Sequence, residues 1–216
     1  MRVSFIDQMG SDLSVVNAAR VSFGKYKFEF DDSDAKLIRY LAKHNHKSPF
    51  NHVFATFWIK APIFVARQLQ KHEYMPWNEI SRRYVDSEPE FYEPEHWRGR
   101  SADKKQGSEG VIDSSDLDHE LSMIDDAYSD LKAIYKSITD PKWEINVAPE
   151  MARMILPQSM YTEWYWSGSL YAFAKMYKLR SKDDTQRETQ EIAYKIDSEL
   201  KCRFPVSWKA LKEEDI

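Results

Sequence analysis

Residues 61–84 read APIFVARQLQKHEYMPWNEISRRY, and the polarity of this stretch changes abruptly at Arg67. Up to Ala66 the run is apolar, with Pro62 positioned where a helix tolerates proline, in its first turn. The preceding residues 53–59, VFATFWI, are rich in β-branched and aromatic types. The chain is therefore expected to leave a strand and enter a helix at Pro62, which makes the fold a mixed one of strands and helices. After Arg67 come Gln68, Lys71, His72, Asn78, Glu79, Ser81, Arg82 and Arg83. Together they offer forked donors to a phosphate and an amide and carboxylate pair to a base edge or sugar hydroxyl. The same charges also suit a solvated basic helix end.

Working outward, residues 2–6 alternate as a short strand, and 12–20 have helical spacing after an Asp/Ser start. The acidic cluster at 31–34 should cap a helix through Leu37, Ile38 and Leu41 that ends near residues 44–46, and Pro49 forbids its continuation. Apolar residues from Leu117 to Ile138 recur at steps of three and four, predicting a long amphipathic helix capped by Ser115 or Asp116 and serving as core scaffold. A short helix is expected over 149–156, and another over 161–179 carrying Trp164, Tyr165 and Trp166, with Arg180 just past its end. A last helix over 185–202 should bury Ile192, Ile196 and Leu200, and the tail from 207 should dock through Trp208 and Leu211. Residues 86–114 carry many charges with Gly99, Gly107 and Gly110, as a mobile, substrate-covering surface loop would.

At 216 residues one domain, 1–216, is the expectation. A net charge of −4 argues against a broad grip on nucleic acid and favours small anionic ligands. A single cysteine, Cys202, excludes an internal disulfide and leaves little room for thiol catalysis. No apolar run approaches the ~20 residues that span a bilayer, and the N-terminus lacks a signal-peptide core. A soluble, cytoplasmic protein without a membrane partner is expected, in the host cytoplasm if the chain is virus-encoded. His44, His46 and His52 are too loosely spaced to predict a metal. Neither a Gly-x-Ser-x-Gly elbow nor a glycine-rich nucleotide cradle is present, so side chains must bind phosphate. That directs attention to Arg67, Arg83, Arg153 and Arg180. Arg153, in APEMARMILP, should be half-buried and need an anion, supplied by a ligand or by Glu79 or Glu150.

Six blocks in order, NAARVSFGK (17–25), HNHKSPFNH (44–52), APIFVARQ (61–68), NEISRRY (78–84), ARMILP (152–157) and LR (179–180), resemble the flavin-dependent thymidylate synthases. The compact form is similar to versions associated with tailed phages. The resemblance implies an α+β fold, a central mostly antiparallel sheet flanked by helices, and a homotetramer with active sites between subunits. It implies that reduced FAD, recharged by NADPH, supplies electrons. Methylenetetrahydrofolate would give its one-carbon unit to C5 of dUMP, making dTMP without a cysteine nucleophile. Gln68, Glu79, Ser81, Arg83 and Arg153 match positions that hold the nucleotide. Arg180 matches the arginine beside the pyrimidine and His46 a histidine important for the reaction, the two catalytic candidates. Ser48, Lys71, His72, Glu73 and Leu179 match the cofactor side.

The family signature Arg-His-Arg, seven residues, Ser here reads Lys71-His72-Glu73, seven residues, Ser81. Flavin-side positions also change, to Asn51 for a glutamate, Ser169 for an asparagine, Tyr171 for an arginine, Lys175 for an asparagine and Asp184 for a histidine. Lys71, Lys175, His72 and stacking on Trp77 or Tyr171 are candidate replacements. Three readings follow: dTMP synthesis with a rebuilt flavin site, a flavin-independent relative making a 5-hydroxymethyl nucleotide from dUMP or dCMP, and a non-catalytic nucleotide-binding protein.

Overall fold

The computed structural model describes residues 1–103, 107–142 and 145–213; part of the expected 86–114 loop and the last three residues of the tail lie outside these. In order the elements are β1 (Arg2–Met9), α1 (Asp12–Arg20), α2 (Asp32–Lys43), a 3-10 turn (Ser48–His52), β2 (Phe54–Pro62), α3 (Ile63–Leu69) and β3 (Trp77–Glu79). They continue with β4 (Arg98–Arg100), β5 (Ser108–Val111), α4 (Asp118–Thr139), α5 (Pro149–Ala152), β6 (Tyr161–Ser169), α6 (Leu170–Arg180), α7 (Arg187–Arg203) and α8 (Pro205–Glu213).

Four strands form an antiparallel sheet in the order β1-β2-β6-β3. Its inner face comes from simple alternation: Ala55, Phe57 and Ile59 of β2 and Trp164 and Trp166 of β6 are buried while their neighbours are not, and β2 ends with both Ala61 and Pro62 buried. Against that face pack Val16 of α1, Ile38 of α2, Phe173 of α6, Ile192 of α7 and Trp208 of α8. Burying each such side chain is worth about 1.5–3 kcal/mol. The result is the helix-flanked antiparallel sheet that the resemblance implies.

The Asp31 cap forms as expected, its carboxylate accepting from the Ser33 and Asp34 amides. Asp34 is fully buried and balanced by Arg20 at 2.7 Å and Lys27 at 2.6 Å, which ties α1 to α2. The passage from strand to helix falls at Pro62 as expected, although Pro62 ends β2 and stands at the cap of α3 rather than in its first turn, and Trp208 and Leu211 are buried.

Five expectations are corrected. Residues 161–179 are not one helix: 161–169 form β6, pairing with β2 from Phe54↔Ser169 to Pro62↔Tyr161, and the helix begins at Leu170. The aromatic cluster that satisfies helical spacing also alternates with period two, and nine cross-strand pairs outweigh local preference. Arg180 is consequently the last residue of α6 rather than a residue beyond it. The helix from 118 is not core scaffold, since only Tyr135 and Thr139 of α4 are buried. It packs on the short α5 and the turn Arg153–Ile155, away from the sheet. Its cap position is Leu117; Asp113 instead caps the 3-10 turn before it, accepting from the Ser115 amide. β1 also runs three residues further than 2–6, past a register shift between Phe5 and Asp7.

At Gly168 on β6, an added Cβ would lie 2.9 Å from Met75 Cε. The glycine lets buried Met75 seat against the strand, fixing the far end of the turn that carries Lys71, His72 and Glu73. Within that turn Tyr74 has φ +60° and an exposed ring.

Candidate active site

Two clefts share Lys71 and are divided by a hydrogen bond from Arg180 to His72. The first, of about 620 Å³, lies between α3, the end of α6, the start of α7 and the β4–β5 hairpin. Here Arg180 Nε donates to His72 Nε2 at 3.0 Å, and Arg180 Nη2 donates to the Gln68 carbonyl at 2.7 Å. Arg180 makes no salt bridge to a carboxylate among the described residues, and burial lowers its pKa. Burial, then the charges of Arg180 and Lys175, push the His72 pKa down to about 4. His72 is therefore neutral at physiological pH and able to accept from a cation. The arrangement gives Arg180 a fixed direction without cancelling its charge, as a group awaiting an anion requires.

Gln68, on α3, is held from both ends: its Nε2 donates to Gln186 Oε1 at 2.6 Å, and its Oε1 accepts from the Thr189 hydroxyl at 3.2 Å. Beside it Glu188 is buried, accepting from Arg98 Nη2 at 2.5 Å and from the Tyr92 hydroxyl at 3.3 Å. Burial raises the Glu188 carboxyl, but bonds from Arg98 and Gln186 outweigh it and leave the pKa below the usual value. Arg98 Nε also donates to Ser108 Oγ at 2.8 Å, so one guanidinium joins both strands of the hairpin to α7.

The second cleft, of about 830 Å³, lies along α6 and faces the turn after α3. Of the five departures outside the Lys71-His72-Glu73 signature, four line it, namely Asn51, Ser169, Tyr171 and Lys175, whereas Asp184 lines the first. The Ser169 hydroxyl donates to Asn51 Oδ1 at 2.7 Å and accepts from the Ala172 amide at 3.2 Å, capping α6. Lys47 Nζ sits 5.6 Å from the centre of the Tyr171 ring. Of the residues that the resemblance puts on the cofactor side, Lys71, His72, Glu73 and Leu179 line this cleft.

The remaining nucleotide-side residues gather elsewhere. Glu79, on edge strand β3, accepts from the Thr162 hydroxyl at 2.6 Å and from Trp77 Nε1 at 3.0 Å. Ser81 Oγ accepts from the Arg83 amide at 3.2 Å, Arg83 Nε lies 3.5 Å from Glu150 Oε2, and Arg153 Nε donates to the Glu150 carbonyl at 3.2 Å. No hydrogen bond among the described residues joins this group to Gln68 or Arg180. Arg153 is exposed, not half-buried as expected, because the 3-10 turn directs it back along α5; the carboxylate of Glu150 pairs with Arg83 instead. Trp77 is no open stacking platform, being stacked on Trp164 at 4.4 Å. His46 and Ser48 lie on the exposed turn after α2, outside both clefts, with the His46 ring against Tyr40.

Sequence reasoning missed Tyr92, Arg98 and Glu188 in the first cleft and Lys178 and Lys182 in the second. A signal for the lysines existed, since Lys175, Lys178 and Lys182 recur at helical spacing. None existed for Arg98 and Glu188, which are ninety positions apart in the chain.

A model of the thymidylate synthase complementing protein family matches residues 4–206. A flavin-dependent thymidylate synthase of Thermus thermophilus is 42% identical over 212 residues, covering 98% of this chain and 75% of that protein. That of Thermosipho africanus is 38% identical over 205 residues, covering 95% and 88%. Among solved structures, the UMP/dUMP methylase PolB from Streptomyces cacaoi bound with 5-Br dUMP is similar at a TM-score of 0.83 and 30% identity, covering 99% of this chain and 95% of that one. Its complex with 5-Br UMP gives 0.85, also at 30% identity, over 98% and 93%. With its sheet, its ordered blocks and these relatives in agreement, the chain belongs to the thymidylate synthase complementing protein family.

Proposed function

We propose that this protein transfers the one-carbon unit of methylenetetrahydrofolate to C5 of dUMP, producing dTMP, with FAD and NADPH as redox partners. The observation that carries the reading is Arg180, a guanidinium oriented by neutral His72 and a backbone carbonyl with no carboxylate to cancel it. Its two internal bonds use Nε and Nη2, so Nη1 remains for a ligand. Set against a pyrimidine carbonyl, it stabilises negative charge on that oxygen and so makes C5 nucleophilic. The new carbon–carbon bond at C5 forms as the folate carbon–nitrogen bond breaks, and no thiol is required.

Gln68, locked by Gln186 and Thr189, presents a fixed edge beside Arg180. Ser81, Arg83 and Arg153 supply phosphate donors, with Glu79 positioned for a sugar hydroxyl, and His46 borders the reacting groups. Because these residues form separate clusters within one chain, we assign the complete site to the junction of subunits in a homotetramer, each cluster meeting its complement from another copy. The β4–β5 hairpin lines the Arg180 cleft and would cover a ligand bound there.

The lysines and Tyr171 of the second cleft fit the anionic bridge and flat ring of a flavin dinucleotide, with Lys71, His72, Glu73 and Leu179 around it and Ser48 on the turn behind. When bound, that group supplies the hydride that completes a methyl group. The related activity with UMP belongs to PolB, and its substrate pair makes the ribose 2′ position a point to examine.

The test is mass spectrometry of the nucleotide after incubation with dUMP and methylenetetrahydrofolate, with and without FAD and NADPH. Formation of dTMP only in the complete mixture is expected. A hydroxymethyl product made equally without FAD would replace this reading with the flavin-independent one. Unchanged dUMP and dCMP under every condition would leave a nucleotide-binding protein.

A further inference from the structure

We infer that the first turn of α7 selects uracil over cytosine, by fixing the Gln68 amide so that the group it offers a bound base is a hydrogen-bond acceptor. The inference rests on the dUMP reading above and adds how that base is told from its amino counterpart. Gln186, Glu188 and Thr189 stand at the cap and in the first turn of α7, and Gln186 and Glu188 line the first cleft together with Gln68 and Arg180. The Gln186 side chain makes no cap to its own helix, which leaves its amide to bridge Glu188 and Gln68.

Direction enters at Glu188. Arg98 and Tyr92 both donate to Oε1 of this buried side chain. Burial opposes its ionisation, but Arg98 and Gln186 keep the carboxyl below its usual pKa, so at neutral pH it accepts hydrogen bonds and can give none. Its Oε2 is buried without a full hydrogen bond among the described residues; an amide nitrogen turned toward it is attracted, and an amide oxygen repelled. Gln186 therefore keeps its nitrogen on the Glu188 side, and its Oε1 accepts from Gln68 Nε2 at 2.6 Å. Gln68 Nε2 also donates to the Phe64 carbonyl at 3.4 Å, which commits both protons of that nitrogen. Gln68 Oε1 accepts one bond, from the Thr189 hydroxyl at 3.2 Å, and keeps one lone pair to spare. A hydroxyl can donate or accept, so Thr189 follows this direction instead of setting it.

Beside the donor Arg180 the cleft thus offers an acceptor. Uracil presents the matching pair, a carbonyl next to a ring N–H. Cytosine presents a carbonyl next to a bare ring nitrogen, whose lone pair would face that of Gln68 Oε1. A polar group left opposed in such a site lowers affinity about ten- to a hundredfold.

The test measures the affinity of the full-length protein for dUMP and for dCMP by calorimetry, in the native chain and in Gln186→Met and Glu188→Gln. Gln186→Met removes the bridge while keeping the Arg98–Glu188 pair, so it decides the matter if Glu188→Gln does not fold. The native protein should prefer dUMP by about ten- to a hundredfold, and the preference should shrink to about threefold or less in each folded variant, where Gln68 is free to turn its nitrogen to the base. A merely structural role for this turn would weaken both nucleotides in parallel and preserve the ratio, which would overturn the inference. Equal affinity of the native protein for the two nucleotides would also overturn it, while dTMP formed from dUMP by the same preparation would uphold the reading on which it rests. Selection that is present in the native protein and lost in the variants, without any dTMP formed, would uphold the inference and overturn the synthesis reading. Binding of neither nucleotide would overturn both.

Discussion

The two clefts use positive charge in opposite ways. In the first, Arg180 and Arg98 are each fixed by two short hydrogen bonds, one to hold charge ready for a ligand and the other to neutralise a buried carboxylate. In the second, lysines line a helix face whose polar neighbours bond to each other. Directed charge suits discrimination and charge development at one atom, whereas diffuse charge suits retention of a polyanion. The first should therefore be sensitive to single substitutions, and the second to ionic strength.

The largest expected effect is that of Arg180→Ala. Turnover measured by dTMP formation should fall about 10²–10³-fold, the usual cost of losing one preorganised donor. The thermal midpoint should shift little, because a partly exposed cation is removed along with its own desolvation; an unfolded variant would show Arg180 to be structural. Next is Arg98→Ala, which strands buried Glu188 and should cost about 3 kcal/mol in urea unfolding. Adding Glu188→Gln should recover part of that loss, and full additivity of the two would show that the pair is not coupled.

Arg83→Ala should weaken dUMP binding by about ten- to a hundredfold, matching loss of a charged hydrogen bond, with far less change in folate affinity. Equal losses for both ligands would remove Arg83 from the phosphate site. The smallest effect concerns pH. The His72 pKa is lowered from 6.5 to about 4, so protons favour the unfolded chain. Stability from neutral His72 is complete above about pH 6.5 and is lost as pH falls toward 4. Calorimetric melting across that window should decline more steeply for the native protein than for His72→Gln, and parallel curves would contradict the assignment.

Much of this contrast was legible in the sequence, but unevenly. α1, the Asp31 cap, the passage at Pro62 and α7 follow from local spacing and capping chemistry, which neighbouring residues determine, although α7 is not the last helix, since the tail expected merely to dock forms α8. β6 was misread because Trp164, Tyr165 and Trp166 satisfy both periodicities, and only a partner strand over a hundred positions away decides between them. α4 shows the converse: its stripe is regular, yet the sheet is already covered by other helices, so periodicity marked a face without naming what meets it. At the site, Gln68 and Arg180 were foreseen together and do share a cleft. Arg83 and Arg153 were foreseen with them but lie apart from it, both engaged with Glu150, a pairing that no sequence spacing announces.

Gly168 extends the sensitivity of the site beyond its own lining. Because Met75 rests where a side chain at 168 would stand, the turn bearing Lys71, His72 and Glu73 takes its position from the sheet interior. A methyl group added there would touch no ligand. It would press first on the flexible end of Met75, which can move aside, and any loosening passed on to the turn would be read as faster amide hydrogen exchange there before any change in the global melt.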